Sequence, residues 1–138
     1  MLDVLRDRIA SFLAQHNVGI ISVASPGAVH SVVTRYVSDG LGVVCSLPRW
    51  SEVAYYVRTY PRVSFVVPDT ITKPEILLWF QAEGLAHIVP PPRHITLPGL
   101  PSDISELEEL FTFVRIVFYR LDLWDEAQGW GARDTLEM

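Results

Sequence analysis

The first stretch of the chain has helical periodicity: over 2–15, Leu2, Leu5, Ile9, Phe12 and Leu13 share one face, with Asp3 at a capping position. After "HNVG" the pattern becomes strand-like. "VGIISVAS" (18–25), "VHSVVTRYV" (29–37) and "LGVVCS" (41–46) predict three strands joined at "SPGA" and "SDG". Asp-Gly favours the positive φ of a tight hairpin turn. "SLPRWSEVAYYVRTYP" (46–61) predicts a helix of barely three turns, with Trp50, Val53, Ala54 and Val57 on one face. Pro48 suits its entry, Ser51 or Ser46 its cap, and Pro61 ends it. "RVSFVV" (62–67) and "EILLWFQAEGLAHIV" (75–89) predict the next two strands, with a bulge or bend at Gly84.

A proline-rich connector, "PPPRHITLPGLP" (90–101), predicts an exposed loop with few backbone donors. "SDISELEELF" (102–111) predicts a short helix, since Asp103 and Glu106 have capping-box spacing. "FVRIVFYRLDLW" (113–124) is the sixth strand. The tail "DEAQGWGARDTLEM" predicts a frayed terminus or an arm reaching over a partner's pocket, with Trp130 and Arg133 as contacts. Six strands with short links and no strand–helix–strand alternation predict a mainly β domain. Its expected form is a six-stranded antiparallel split barrel with short flanking helices.

Composition narrows the chemistry. The chain has 138 residues, the length of one domain, and 49% are hydrophobic, enough for a core. A net charge of −5 argues against a general nucleic-acid or anionic-membrane binder. Cys45 is the only cysteine, so no intrachain disulfide forms. His16, His30, His87 and His94 lack metal-ligand spacing. No apolar run approaches the ~20 residues of a membrane span, and the N-terminus does not read as a signal peptide, so a cytoplasmic protein is expected.

The stretch after the third strand is the candidate anion site. A helix start offers amides, Ser46 and Ser51 offer hydroxyls, and Arg35 and Arg49 offer guanidinium forks. The plain alternative is that Ser51 caps a packing helix and Arg49 is solvated. His30 is a possible ring or phosphate contact or an ordinary packed histidine, and Cys45 reads as a small hydrophobe in an apolar strand. Trp50, Trp79, Trp124 and Trp130 suit an aromatic stack, a core or an interface. No Ser/His/Asp triad and no paired carboxylates can be read from the spacing, and Glu106, Glu108 and Glu109 read as a solvated helix face.

The element order, with "GIISVAS", "VHSVVTRYVSDGLGVVCS", "SEVAYYVRTYPRVSFVV", "LWFQAEGLAHIV" and "FVRIVFYRLDLWD", resembles the pyridoxamine 5'-phosphate oxidase-like split-barrel family over roughly residues 3–124. The resemblance implies a homodimer with flavin mononucleotide (FMN) at the subunit interface, acting as an oxidoreductase on an unknown small molecule. It carries cofactor contacts onto His30 and Arg35 on the second strand, Cys45 and Ser46 at the end of the third, Ser51 at the helix start and Gln81 on the fifth. The family's lysine falls on or next to Val53, and Arg49 is the candidate substitute. The alternatives are a relative using a deazaflavin or haem, and a cofactor-free dimer serving as a binding module.

Overall fold

Period-two alternation in the sequence becomes seven antiparallel strands in the computed structural model, which describes residues 2–69, 75–92, 97 and 99–138. Helix α1 (Leu2–Ala14) leads into β1 (Val18–Ser25), β2 (Ala28–Asp39) and β3 (Gly42–Pro48). Helix α2 (Glu52–Tyr56), β4 (Arg62–Asp69) and β5 (Leu78–Val89) follow. Then come α3 (Ile104–Leu110), β6 (Phe111–Asp125), a 3-10 turn and β7 (Arg133–Glu137). The two tight hairpins turn at Gly27 and Gly40, which take φ +81° and +60°, values that favour glycine.

The strands run β3-β2-β1-β4-β5-β6-β7, and β3 also pairs with β6, which closes six of them into a barrel. One edge of β6 faces β5 from Phe113 to Asp125. Its other edge is shared: Phe111–Ile116 pair with β3, and Arg120–Trp124 pair with β7. The barrel is therefore split along this seam, with β7 taking over where β3 leaves off. Arg8 of α1 clamps the β7 side by ion pairs to Asp125 at 2.7 Å and Asp134 at 3.2 Å.

Inward side chains fill the barrel, among them Ile21, Val23, Tyr36, Phe65, Phe80, Ile116 and Leu121. Helices plug its ends. Ile9, Phe12 and Leu13 of α1 close one, where the Tyr36 hydroxyl donates to the Leu13 carbonyl at 2.8 Å. Val53 and Ala54 of α2, with Val57, pack into the other. Each such side chain contributes about 1.5–3 kcal/mol over exposure. The Cys45 thiol and Tyr36 phenol lie within this core, and burial pushes both above their ordinary titration ranges. Both stay neutral in the fold and ionise more readily in the unfolded chain. Their contribution is whole below about pH 8.5 and falls as pH rises above it.

The six barrel strands and the bulge match the sequence expectation, with the register shift at Glu83/Gly84. Three elements differ. Helix α2 is five residues long, not three turns, because the chain turns after Tyr56 and must reach Pro61 extended. The tail is not frayed: "RDTLE" forms β7, anchored by buried Leu136. The connector is not wholly exposed, since Pro91 is buried and Leu97 packs against Val44 and Phe113. Its residues 93–96 and 98 lie outside the described residues, as does 70–74.

Gly84 is needed for space. A Cβ there would lie 2.5 Å from the Val117 carbonyl oxygen, on the neighbouring backbone. Gly84→Ala is expected to destabilise the protein by about 1–3 kcal/mol, read as a lower urea midpoint with unchanged slope. An unchanged midpoint would show that the bulge yields freely.

Candidate functional site

Strand parity places the candidate residues on opposite sides of the barrel wall. On β2, Thr34 and Tyr36 point into the barrel, whereas Val33 and Arg35 point outward. His30 shares the inward parity, opposite buried Val23. His30 and Arg35 therefore face opposite sides of one strand and do not converge on one phosphate. Cys45, also inward, is fully buried, so its thiol cannot meet a ligand outside the barrel. Ser46, its neighbour, faces outward beside Arg35, its Cα partner.

His30 sits at the barrel mouth under α2. Its ring stacks on Tyr56 with centroids 4.6 Å apart. Its Nδ1 lies 2.7 Å from a Glu52 carboxylate oxygen and its Nε2 lies 3.0 Å from the Ser25 hydroxyl. Ser51 caps α2, its hydroxyl accepting from the Ala54 N–H at 3.1 Å. Val53, on or next to which the resemblance puts the family's lysine, is buried in the core. The α2 start thus has its hydroxyl in use, a carboxylate on its histidine and an apolar side chain where a cation would stand. It does not fit a phosphate.

The outer face fits one better. Ser46 is 2% exposed and its hydroxyl has no hydrogen-bond partner among the described residues, a cost of about 1–3 kcal/mol unless something else satisfies it. Arg35 is exposed and has no carboxylate partner among the described residues. Its guanidinium passes so close to Gly99 that a Cβ there would lie 3.3 Å from it. With φ +84°, Gly99 is a position for glycine on two counts. Beside Arg35, the outward Val18, Ile20 and Val33 expose an apolar stripe, Val33 at 63%.

Gln81 is also outward, but β5 lies three strands from β2 in either direction around the ring. There it accepts from Trp79 Nε1 at 3.3 Å. Trp79 stacks on Trp124 at 5.2 Å, and Arg133 of β7 lies 4.8 Å from the Trp124 ring centroid. The three are partners in register across β5, β6 and β7. This aromatic and guanidinium ladder was only half legible in the sequence: both tryptophans and Arg133 were visible, but their alignment depends on β7.

Arg49 turns away from α2. The Arg49 guanidinium donates to the Glu108 carbonyl and, at 3.4 Å, to the Phe111 carbonyl, and the Arg49 backbone N–H donates to the Leu110 carbonyl at 2.9 Å. These are end carbonyls of α3, where a cation also meets the negative end of the helix. Arg49 is a helix cap in this structure and does not replace the missing lysine.

No family model and no curated protein matches the sequence. Solved structures do match. A conserved hypothetical protein from Mycobacterium tuberculosis is 25% identical, covering 86% of this chain and 83% of that one with a TM-score of 0.65. A Clostridium acetobutylicum protein related to general stress protein 26, of the pyridoxinephosphate oxidase family, is 10% identical over 99% and 96% of the two chains at 0.76. An FAD-binding protein from Mycobacterium smegmatis is 15% identical over 86% and 94% at 0.60. A haem-binding protein of the same species has the fold at 13% identity and 0.64, with coverage of 96% of this chain and 56% of that one. The chain has the split-barrel fold of the pyridoxamine 5'-phosphate oxidase-like proteins, as its sequence words suggest.

Removing the Arg49 cap is expected to act on stability alone. Arg49→Ala should cost about 1 kcal/mol, lowering the melting temperature, and should speed amide exchange over 104–110. Unchanged exchange there would show that the guanidinium contributes nothing to α3.

Proposed function

We propose that the protein binds FMN in a crevice completed by a second copy of the chain, and serves as an oxidoreductase for a small molecule. One observation carries this reading: a buried Ser46 hydroxyl stands at the strand position paired with Arg35, and among the described residues the hydroxyl has no hydrogen-bond partner and the guanidinium no carboxylate. A phosphate supplies acceptors for both, and Arg offers it a bidentate fork.

The second copy is supported by the distribution of the remaining groups. Trp79, Gln81, Trp124 and Arg133 lie across the barrel from Arg35, too far round the ring to share a ligand within one chain. An isologous two-fold contact brings such separated patches together twice. The exposed Val18, Ile20 and Val33 supply apolar surface for it.

In this reading Arg35 and Ser46 hold the phosphate. Val18, Ile20 and Val33 exclude water, and the Trp79–Trp124 stack with Arg133 offers a flat, cationic edge to a ring system. A bound flavin supplies the hydride or electron transfer, and the chain supplies placement and electrostatics. A second reading, a cofactor-free dimer, is favoured by one observation, the Glu52 carboxylate on His30 with Val53 buried behind it.

Three measurements test this. Freshly purified protein, or protein given FMN, should show oxidised-flavin absorption bands, and light scattering should report about twice the chain mass. Arg35→Ala should weaken FMN by roughly tenfold to a hundredfold, the loss of one charged hydrogen-bond partner of about 1.5–3 kcal/mol. Riboflavin, which has no phosphate, should bind the variant unchanged, and Arg49→Ala should leave both ligands unaffected. A colourless dimer indifferent to added FMN would establish the second reading, and a stable monomer would sink both.

A further inference from the structure

The barrel mouth holds an arrangement that no sequence spacing announces. Ser25 closes β1, His30 lies five residues on across the Pro26–Gly27 turn, and Glu52 opens α2. The Ser25 hydroxyl is 3.0 Å from His30 Nε2, and His30 Nδ1 is 2.7 Å from the Glu52 carboxylate. These contacts decide the tautomer. A carboxylate only accepts, so Nδ1 carries the proton, and in the neutral ring Nε2 is left as the acceptor for the Ser25 O–H. The imidazole is 14% exposed and fixed further by its stack on Tyr56. A nucleophile, a base oriented towards it and a carboxylate holding the base form a triad by geometry and role.

A place for a substrate adjoins it. A cavity of about 450 Å³ lies on the base and acid side of it, lined by His30, Val29, Val32, Trp50, Ser51 and Glu52; Ser25, half-buried, is not in that lining. That volume lies within the range of small-molecule sites. Trp50, 75% exposed, is an apolar wall of it. Two features limit the chemistry. The residue after Ser25 is Pro26, which has no N–H to offer, whereas tetrahedral intermediates are usually held by two donors. Glu52 is 74% exposed, so water competes for its hold on the ring.

We propose that Ser25, His30 and Glu52 form a nucleophilic site that cleaves activated aryl esters, with Ser25 as nucleophile, His30 as general base and acid, and Glu52 as the positioning residue. The Ser25 oxygen bonds to the ester carbonyl carbon while its proton passes to His30 Nε2. The carbon–oxygen bond to the aryl group breaks, and the leaving phenoxide takes that proton. Water then attacks the acyl-serine with His30 again as base, releasing the carboxylic acid and restoring the hydroxyl. The site is separate from the proposed flavin crevice, since His30 and Arg35 point to opposite sides of β2.

The test treats the full-length protein with a fluorophosphonate and maps the adduct by peptide mass spectrometry, with p-nitrophenyl acetate hydrolysis as a parallel readout. The expected result is one adduct per chain, on Ser25, and none in Ser25→Ala, which loses only a hydroxyl. Labelling of His30→Gln should slow by about a hundredfold or more, the usual worth of a positioned base. Glu52→Gln should slow it less, and Glu52→Asp should recover part of that loss, which a purely structural role would not produce. Ser22→Ala is the control; it removes a hydroxyl paired with Ser31 at 2.7 Å and with no imidazole, and it should label at the wild-type rate. Absence of an adduct on Ser25, or labelling of His30→Gln at the wild-type rate in folded protein, overturns the proposal.

Discussion

Everything else in this structure depends on the pairing of β3 with β6. Six residue pairs, from Val43 with Ile116 to Pro48 with Phe111, turn an open sheet into a closed ring. Closure removes the edges that an open sheet of this length would present. It also gives every strand an inside and an outside, so the position of a residue in the alternation decides whether it can meet a ligand. Cys45 and Ser46 are adjacent in sequence, yet one is sealed in the core and the other faces outward beside Arg35.

That same parity explains what was legible. The barrel strands follow from alternation and turn chemistry, both local signals, and the Gly84 bulge follows from a glycine inside a long apolar run. Strand β7 was not legible because only Leu136 in "RDTLE" is apolar and buried; its pairing with β6 is a tertiary effect. The length of α2 was overstated because the apolar spacing of Trp50, Val53, Ala54 and Val57 suits a longer helix. In the fold Trp50 lies before the Ser51 cap, exposed, and the helix ends by Val57.

The candidate site was legible as residue types but not as groupings. The seven residues that the sequence suggests for one cofactor occupy five settings: His30 and Ser51 at the mouth, Arg35 and Ser46 on the outer face, Gln81 across the ring, Cys45 in the core, and Arg49 against α3. Sequence proximity misled most at Arg49, two residues from Ser51 but hydrogen-bonded to a helix some sixty residues later. It misled in the opposite sense at Glu52. Nothing in the sequence joins that acid to Ser25 and His30, because the contact exists only once α2 folds over the mouth.

Charge then separates the two surfaces of β2. A phosphate at the α2 start would gain about 0.3–1 kcal/mol from the end of a helix, and less from one of five residues. It would face the Glu52 carboxylate, and two like unit charges 4 Å apart repel by about 1 kcal/mol in water and about 4 kcal/mol near a protein surface. The repulsion exceeds the gain, so His30 keeps its carboxylate partner and the mouth does not favour an anion. On the outer face the balance is reversed. Arg35 has no acid beside it among the described residues, and the Ser46 hydroxyl has no partner, so an anion there meets attraction without a competing carboxylate.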